Sequence, residues 1–378
     1  MRAHVHRLPA CSPDDVSALD VAFARGQIDA KSIVAILGKT EGNGCVNDFT
    51  RSFAASALKA SIATRLGCTV ADLDRRIAFV MSGGTEGGLS PHWLVFEARE
   101  EQSEHVGEAR LAIGIAFTPQ LQPEHIGRKE QITATALAVR DAMSQAQIAS
   151  VDDVHYVQVK CPLLTRLRIS EAEARGQSVA TQDTYASMGV SRGAAALGVA
   201  LALGECDEER LSQGDAVCRE PTIFSTRASC SAGVELMDSQ IMVLGNSRAW
   251  SGNLVIGHGV MEDALDVGGV WKALALAGIA DGGQLDAQCR SRIAAVLAKA
   301  EASTSGQIRG RRHIMLDDSD IPASRHARAL VGGVLAGVFG DTQLFVSGGA
   351  EHQGPDGGGP IAIIAHCDPT PKGRAAAP

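Results

Sequence analysis

Apolar residues in this chain gather in short unbroken runs, each followed by a longer stretch of mixed polarity. The runs IVAIL (33–37), IAFVM (77–81), LAIGIAF (111–117), VHYVQV (154–159) and RIAAVLA (292–298) have the length and β-branched content of buried strands. Between them, helical periodicity covers about Asp48 to Leu66, and the small-residue runs GAAALGVALALG (193–204) and ARALVGGVLAGV (327–338) read as helices packed close to a sheet. Strands are expected at Ile33–Leu37, Ile77–Met81, Val154–Val159 and Gln343–Val346. Strands alternating with helices predict an α/β or α+β chain with helices covering one face of each sheet.

The polar residues at the ends of these elements repeat. Ser82-Gly83-Gly84-Thr85-Glu86 returns as Ser231-Ala232-Gly233-Val234-Glu235 and again as Ser347-Gly348-Gly349-Ala350-Glu351. Each serine follows an arginine expected to open a helix (Arg51, Arg192, Arg325), and each arginine follows a lysine that ends an apolar run (Lys39, Lys160, Lys299). A pattern returning three times in one order means three copies of one structural unit. The units are placed at residues 1–103, 111–249 and 254–378, with the polar stretch Glu97–Glu108 as a linker and the Pro/Ala-rich tail after Cys367 expected to fray.

Composition narrows the partners. A net charge of −8, spread along the 378 residues, argues against nucleic acid or an anionic membrane. No run is long enough to span a bilayer, the N-terminal residues lack the apolar core of a signal peptide, and the nine cysteines form no CxxC pair. A soluble chain in the reducing cytoplasm is expected.

Serine needs a base, and lysine can be that base only when burial or neighbouring cations favour its neutral form. Small residues after each serine leave backbone N–H groups free to hold an oxyanion, and arginine forks suit carbonyl or enolate oxygens. These parts describe acyl transfer on an oxygen-rich small molecule. A non-catalytic binder of small anionic rings would keep the arginines but need no neutral lysine. Gly38-Lys39-Thr40 imitates the end of a phosphate loop, but Ile33 stands where that motif needs glycine. The loop Ala350–Gly359 offers many backbone carbonyls to a hard cation such as Mg²⁺ or Ca²⁺.

The segments GKTEGNGCVND (38–48), FVMSGGTEG (79–87), VQVKCPLLT (157–165), SMGVSRGAAALG (187–198) and VSGGAEHQGP (346–355) resemble the cyanuric acid hydrolase and barbiturase family of ring-opening amidohydrolases. The resemblance spans nearly the whole chain. It implies three similar repeats about a pseudo-three-fold axis, with Ser231 and Lys160 as the reacting pair and Lys39 and Lys299 as supporting dyad lysines. It further implies that Arg51, Arg192 and Arg325 hold the ring together with Ser82-Gly83, Ser231-Ala232 and Ser347-Gly348. A structural cation, Mg²⁺ or Ca²⁺, would fall to Glu301, Ala350, Gln353, Gly354, Pro355 and Gly358. No organic cofactor is implied, the partner is a cyclic imide, and the assembly is a homotetramer. The implied reaction opens cyanuric acid to carboxybiuret and then biuret and CO₂; the alternative converts barbituric acid to ureidomalonate. Because Glu41 and Glu301 closely follow the other two lysines while Cys161-Pro162 follows Lys160, Lys160 is expected to lack a carboxylate neighbour.

Overall fold

The computed structural model describes residues 1–101, 107–212, 217–279 and 282–367; the tail expected to fray and residues 102–106 of the expected linker lie outside these. Three sheets of four strands repeat one topology. The first holds β1 (Arg2–Pro9), β2 (Ile33–Thr40), β3 (Ala78–Gly83) and β4 (His92–Arg99). The second holds β5 (Arg110–Phe117), β6 (Val154–Pro162), β7 (Ala228–Gly233) and β8 (Gln240–Ser247). The third holds β9 (Leu254–Met261), β10 (Ile293–Ala300), β11 (Phe345–Gly348) and β12 (Gly359–His366). Spatial order is first–fourth–second–third in every sheet, with the second and third strands parallel and the fourth antiparallel to its neighbours. Even an irregularity recurs: the register of each second strand slips once against the fourth, between Ile33 and Ala35, Val154 and Tyr156, and Ile293 and Ala295. Glu97 to Arg99, expected in the linker, instead complete β4, because Glu97 is held by His6 and Arg99.

Helices join the strands: α1 (Ser17–Ala24) and α2 (Phe49–Leu66) in the first repeat, α3 (Lys129–Gln145), α4 (Arg166–Ala174), α5 (Thr184–Ala202) and α6 (Glu208–Ser212) in the second, and α7 (Val267–Leu276), α8 (Ala287–Arg292) and α9 (Ala323–Phe339) in the third. Each parallel strand pair needs such a crossover. In α2, Asp48 caps the first turn by accepting from the Thr50 N–H at 3.1 Å, and Gly67 ends the helix at φ 66°. Ala54, Leu58 and Ile62, four apart, are fully buried against Ile36, Phe79 and Val95. Each large aliphatic among them contributes about 1.5–3 kcal/mol by burial.

Alternation along each second strand separates two interiors. Ile36 and Val296 face their own repeat's helices, whereas Ala35 and Leu37, Tyr156, and Ala295 and Leu297 face one interior shared by all three sheets. Continuing by two along the same face brings Lys39, Lys160 and Lys299 to one end of that interior. Among the described residues, no helix is long and apolar enough to cross a membrane.

Candidate active site

Strand register pairs every lysine with its serine: Lys39 with Ser82, Lys160 with Ser231 and Lys299 with Ser347. All six lie within strand ends rather than in loops, and they are buried or nearly so. Gly38-Lys39-Thr40 is part of β2, which removes the phosphate-loop reading.

The lysines knit the repeats together. Lys39 Nζ donates to the Val346 carbonyl at 2.7 Å, Lys160 Nζ to that of Met81 at 2.9 Å, and Lys299 Nζ to that of Cys230 at 2.9 Å. Each acceptor is the residue just before a serine of another repeat, so the three bonds close a ring. Lys39 also donates to Ser82 Oγ at 3.2 Å, and Lys299 to Ser347 Oγ at 3.3 Å. Ser231 instead shares a hydrogen bond with Ser347 Oγ at 3.1 Å, while Lys160 Nζ pairs with Glu235 at 2.9 Å.

That contact overturns the expectation that Lys160 has no carboxylate beside it. Glu41, two residues past Lys39, lies beyond the end of β2 and is exposed. The carboxylates that matter end the serine motifs: Glu86, Glu235 and Glu351. Burial, followed by a nearby arginine, lowers Lys39 well below an ordinary lysine and brings Lys299 to about 7. Burial also lowers Lys160, but Glu235 pushes back upward and Arg51 downward.

The arginines cross between repeats as well. Arg192 holds Glu351 through Nε at 2.8 Å and Nη2 at 2.6 Å. Arg328 holds Glu86 the same way, at 2.8 and 2.6 Å. Arg51 donates to the carbonyls of Ala232 at 3.2 Å and Cys45 at 2.8 Å. The arginine bearing on Lys39, as Arg51 bears on Lys160 and Arg192 on Lys299, is therefore Arg328. Arg325, one turn earlier on α9, has a side chain 38% exposed and reaches Glu86 with a single 3.3 Å contact. A correction of the same origin concerns Arg192, which sits in mid-α5 because the helix starts at Thr184, capped by Asp183. Arg328 was missed because arginines three apart on one helix look alike in sequence, and the three glutamates were visible in the motif without an assigned role.

Small residues beside the serines serve packing too. A Cβ on Gly83 would overlap Asp48 Oδ2, and one on Gly348 would overlap Arg328 Nη1. Ala232 fills the corresponding place after Ser231.

For a cation, Glu301 follows β10, and Ala350–Gly358 form the turn between β11 and β12 with positive φ at Gly354 and Gly357. Burial, then Glu351, pushes the Glu301 carboxyl upward, and among the described residues it makes no ion pair because Arg192 is committed to Glu351. A half-buried carboxylate that makes no direct ion pair, with the backbone carbonyls of the same turn, is an all-oxygen donor set that fits a hard cation. The Gln353 side-chain oxygen already accepts from the Cys230 N–H at 2.6 Å, which leaves its backbone carbonyl for that purpose.

The family model for amidohydrolase ring-opening proteins matches residues 4–366. Cyanuric acid amidohydrolase from Bradyrhizobium sp. (strain ORS 375) is 60% identical over 366 residues, covering 96% of this chain and 97% of that one. The enzyme of the same name from Ectopseudomonas oleovorans (strain CECT 5344) is 57% identical over 365 residues, covering 96% and 99%. A solved cyanuric acid hydrolase structure described as an evolutionary innovation by structural concatenation superposes with a TM-score of 0.92 at 48% identity, covering 97% of this chain and 99% of that one. One from A. caulinodans gives 0.89 at 54% identity with the same coverage. A triplicated sheet topology, three registered Lys–Ser pairs and these likenesses lead to one conclusion: this chain belongs to the family of ring-opening amidohydrolases.

Proposed function

We propose that the chain hydrolyses cyanuric acid at the centre of its three repeats. The observation that carries this reading is the closed ring of lysine-to-carbonyl bonds around three registered Lys–Ser pairs, a pseudo-three-fold frame for a substrate ring that itself repeats carbonyl and N–H three times; the relatives' shared name supports it. Neutral Lys160 takes the Ser231 hydroxyl proton as Oγ attacks one ring carbonyl. Backbone N–H groups and Arg51 hold the oxyanion. The ring C–N bond then breaks, with the nitrogen taking its proton from the Lys160 ammonium. Water, deprotonated by the same lysine, releases the acyl group from Ser231 as carboxybiuret, which loses CO₂ to leave biuret.

Arg51, Arg192 and Arg328 would hold the ring oxygens, with Ser82-Gly83, Ser231-Ala232 and Ser347-Gly348 forming the floor; Arg325 is replaced by Arg328 in this reading. Glu301 with the carbonyls of Ala350, Gln353, Gly354, Pro355 and Gly358 would hold Mg²⁺ or Ca²⁺, whose charge would fix the last turn of the site. Assembly as a cytoplasmic homotetramer fits a chain with an apolar surface groove of about 610 Å³ between Phe117, Pro119 and Leu137, the last 61% exposed. Light scattering tests the assembly.

The direct test follows ring absorbance and biuret formation with cyanuric and barbituric acids side by side. Turnover of cyanuric acid is expected. Turnover of barbituric acid alone would transfer the same site to the sister reaction, and turnover of neither would refute the reading.

A further inference from the structure

The three junctions between repeats are built from the same parts but not connected alike. At two of them the motif glutamate is clamped in a two-pronged pair by the arginine of another repeat, Arg192 on Glu351 and Arg328 on Glu86. At the third, Glu235 turns to Lys160 at 2.9 Å. Arg51 is left there without an ion pair among the described residues, bonded only to carbonyls, and its Nε is buried with no hydrogen-bond partner. A buried guanidinium N–H with nothing to bond is costly unless a ligand completes it.

We propose that Glu235 is a positioning residue for the ring-opening step: by pairing with Lys160 instead of Arg51, it makes Lys160 the base that serves Ser231 and leaves Arg51 free for the developing oxyanion. This deepens the reading above and rests on it. The groups facing Lys160 are Glu235, Arg51 and the buried Cys161 thiol, with the Met81 carbonyl as its other partner. Burial and Arg51 both weaken Lys160 as a base. Glu235 restores its basicity and stabilises the ammonium that forms as the proton arrives. Glu86 and Glu351 also push Lys39 and Lys299 upward, but each is clamped by an arginine and makes no direct ion pair with its lysine among the described residues.

The test is the pH dependence of kcat at saturating cyanuric acid in Glu235→Gln, beside Lys160→Ala. Saturation removes the ionisation of the free ring from the profile. Loss of the carboxylate should move the acid limb down by about one to three pH units and lower the plateau kcat about tenfold or more, with KM little changed. A limb that stays in place, or a loss carried by KM, overturns the proposal. Should Glu235→Gln not fold, Arg51→Gln reads the same electrostatics with opposite sign: its limb must move upward, and one that does not move overturns the proposal. Lys160→Ala separates the two levels, because activity surviving that change would sink the assignment of the base itself.

Discussion

Arg325 and Arg328 lie three residues apart on α9 and both reach Glu86, yet the structure gives them different weights. Replacing Arg328 with alanine removes two charge-assisted hydrogen bonds of 2.8 and 2.6 Å from a side chain only 4% exposed. Breaking one half of a buried pair costs about 3–5 kcal/mol. Glu86 retains some solvent contact, so the low end, about 3 kcal/mol, is expected, with a fall in Tm of several degrees. A lost charged hydrogen bond to a substrate carbonyl adds about 1.5–3 kcal/mol, which raises KM about tenfold to a hundredfold. Arg325→Ala breaks one 3.3 Å contact of a partly exposed side chain, worth about 0–1 kcal/mol, and should leave KM within about threefold. Steady-state kinetics with cyanuric acid and a thermal melt on each variant decide the matter. If Arg325→Ala raises KM as much as Arg328→Ala, or Arg328→Ala raises it no more than threefold, the assignment by junction geometry is wrong.

Ser231→Ala and Lys160→Ala should each lower kcat by at least about a thousandfold while the melt stays within a few degrees; full turnover in either refutes the proposed chemistry. Gly83→Ala forces its Cβ into Asp48, the cap of α2, and should cost about 1–3 kcal/mol by denaturant titration, whereas Ala232→Gly at the corresponding place should cost about 1 kcal/mol or less. On the proposed cation site, elemental analysis should find a divalent metal in the wild type that Glu301→Gln loses, with a lower Tm; equal metal content in the two refutes the site. His155 and His258 share a hydrogen bond of 2.7 Å, and burial, the main cause, lowers them to about 3 and about 4. The unfolded chain takes up these protons near pH 6.5, so stability is full above that pH and falls as pH drops toward 4. His258→Asn should flatten the decline of Tm over that range, and an equally steep decline would show that other groups carry it.

Much of the site was legible in sequence because the repeat wrote it three times: Lys39, Lys160 and Lys299, and Ser82, Ser231 and Ser347, stand in the register their strand ends imply. The α2 boundaries followed from Asp48 and Leu66. What failed were inferences from chain neighbours. Glu41 follows Lys39 by two residues yet points to solvent, while Glu235 meets Lys160 across 75 residues because parallel pairing of β6 and β7 puts their ends side by side. Arg192 looked like a helix start because the apolar run begins after it, whereas Asp183 caps a helix whose first two turns are mixed in polarity. Glu86 and Glu351 take their arginines from other repeats, and no single repeat encodes that.

The ring of lysine-to-carbonyl bonds has a consequence for the newly made chain. Lys39 emerges early in synthesis, but its carbonyl partner Val346 lies 307 residues later. Until that late strand arrives, the first lysine has only Ser82 of its own repeat to bond and the circle stays open. Contacts so distant in sequence form slowly. Partial chains leaving the ribosome should therefore be catalytically silent, and activity should appear in one step, when the third repeat closes the circle.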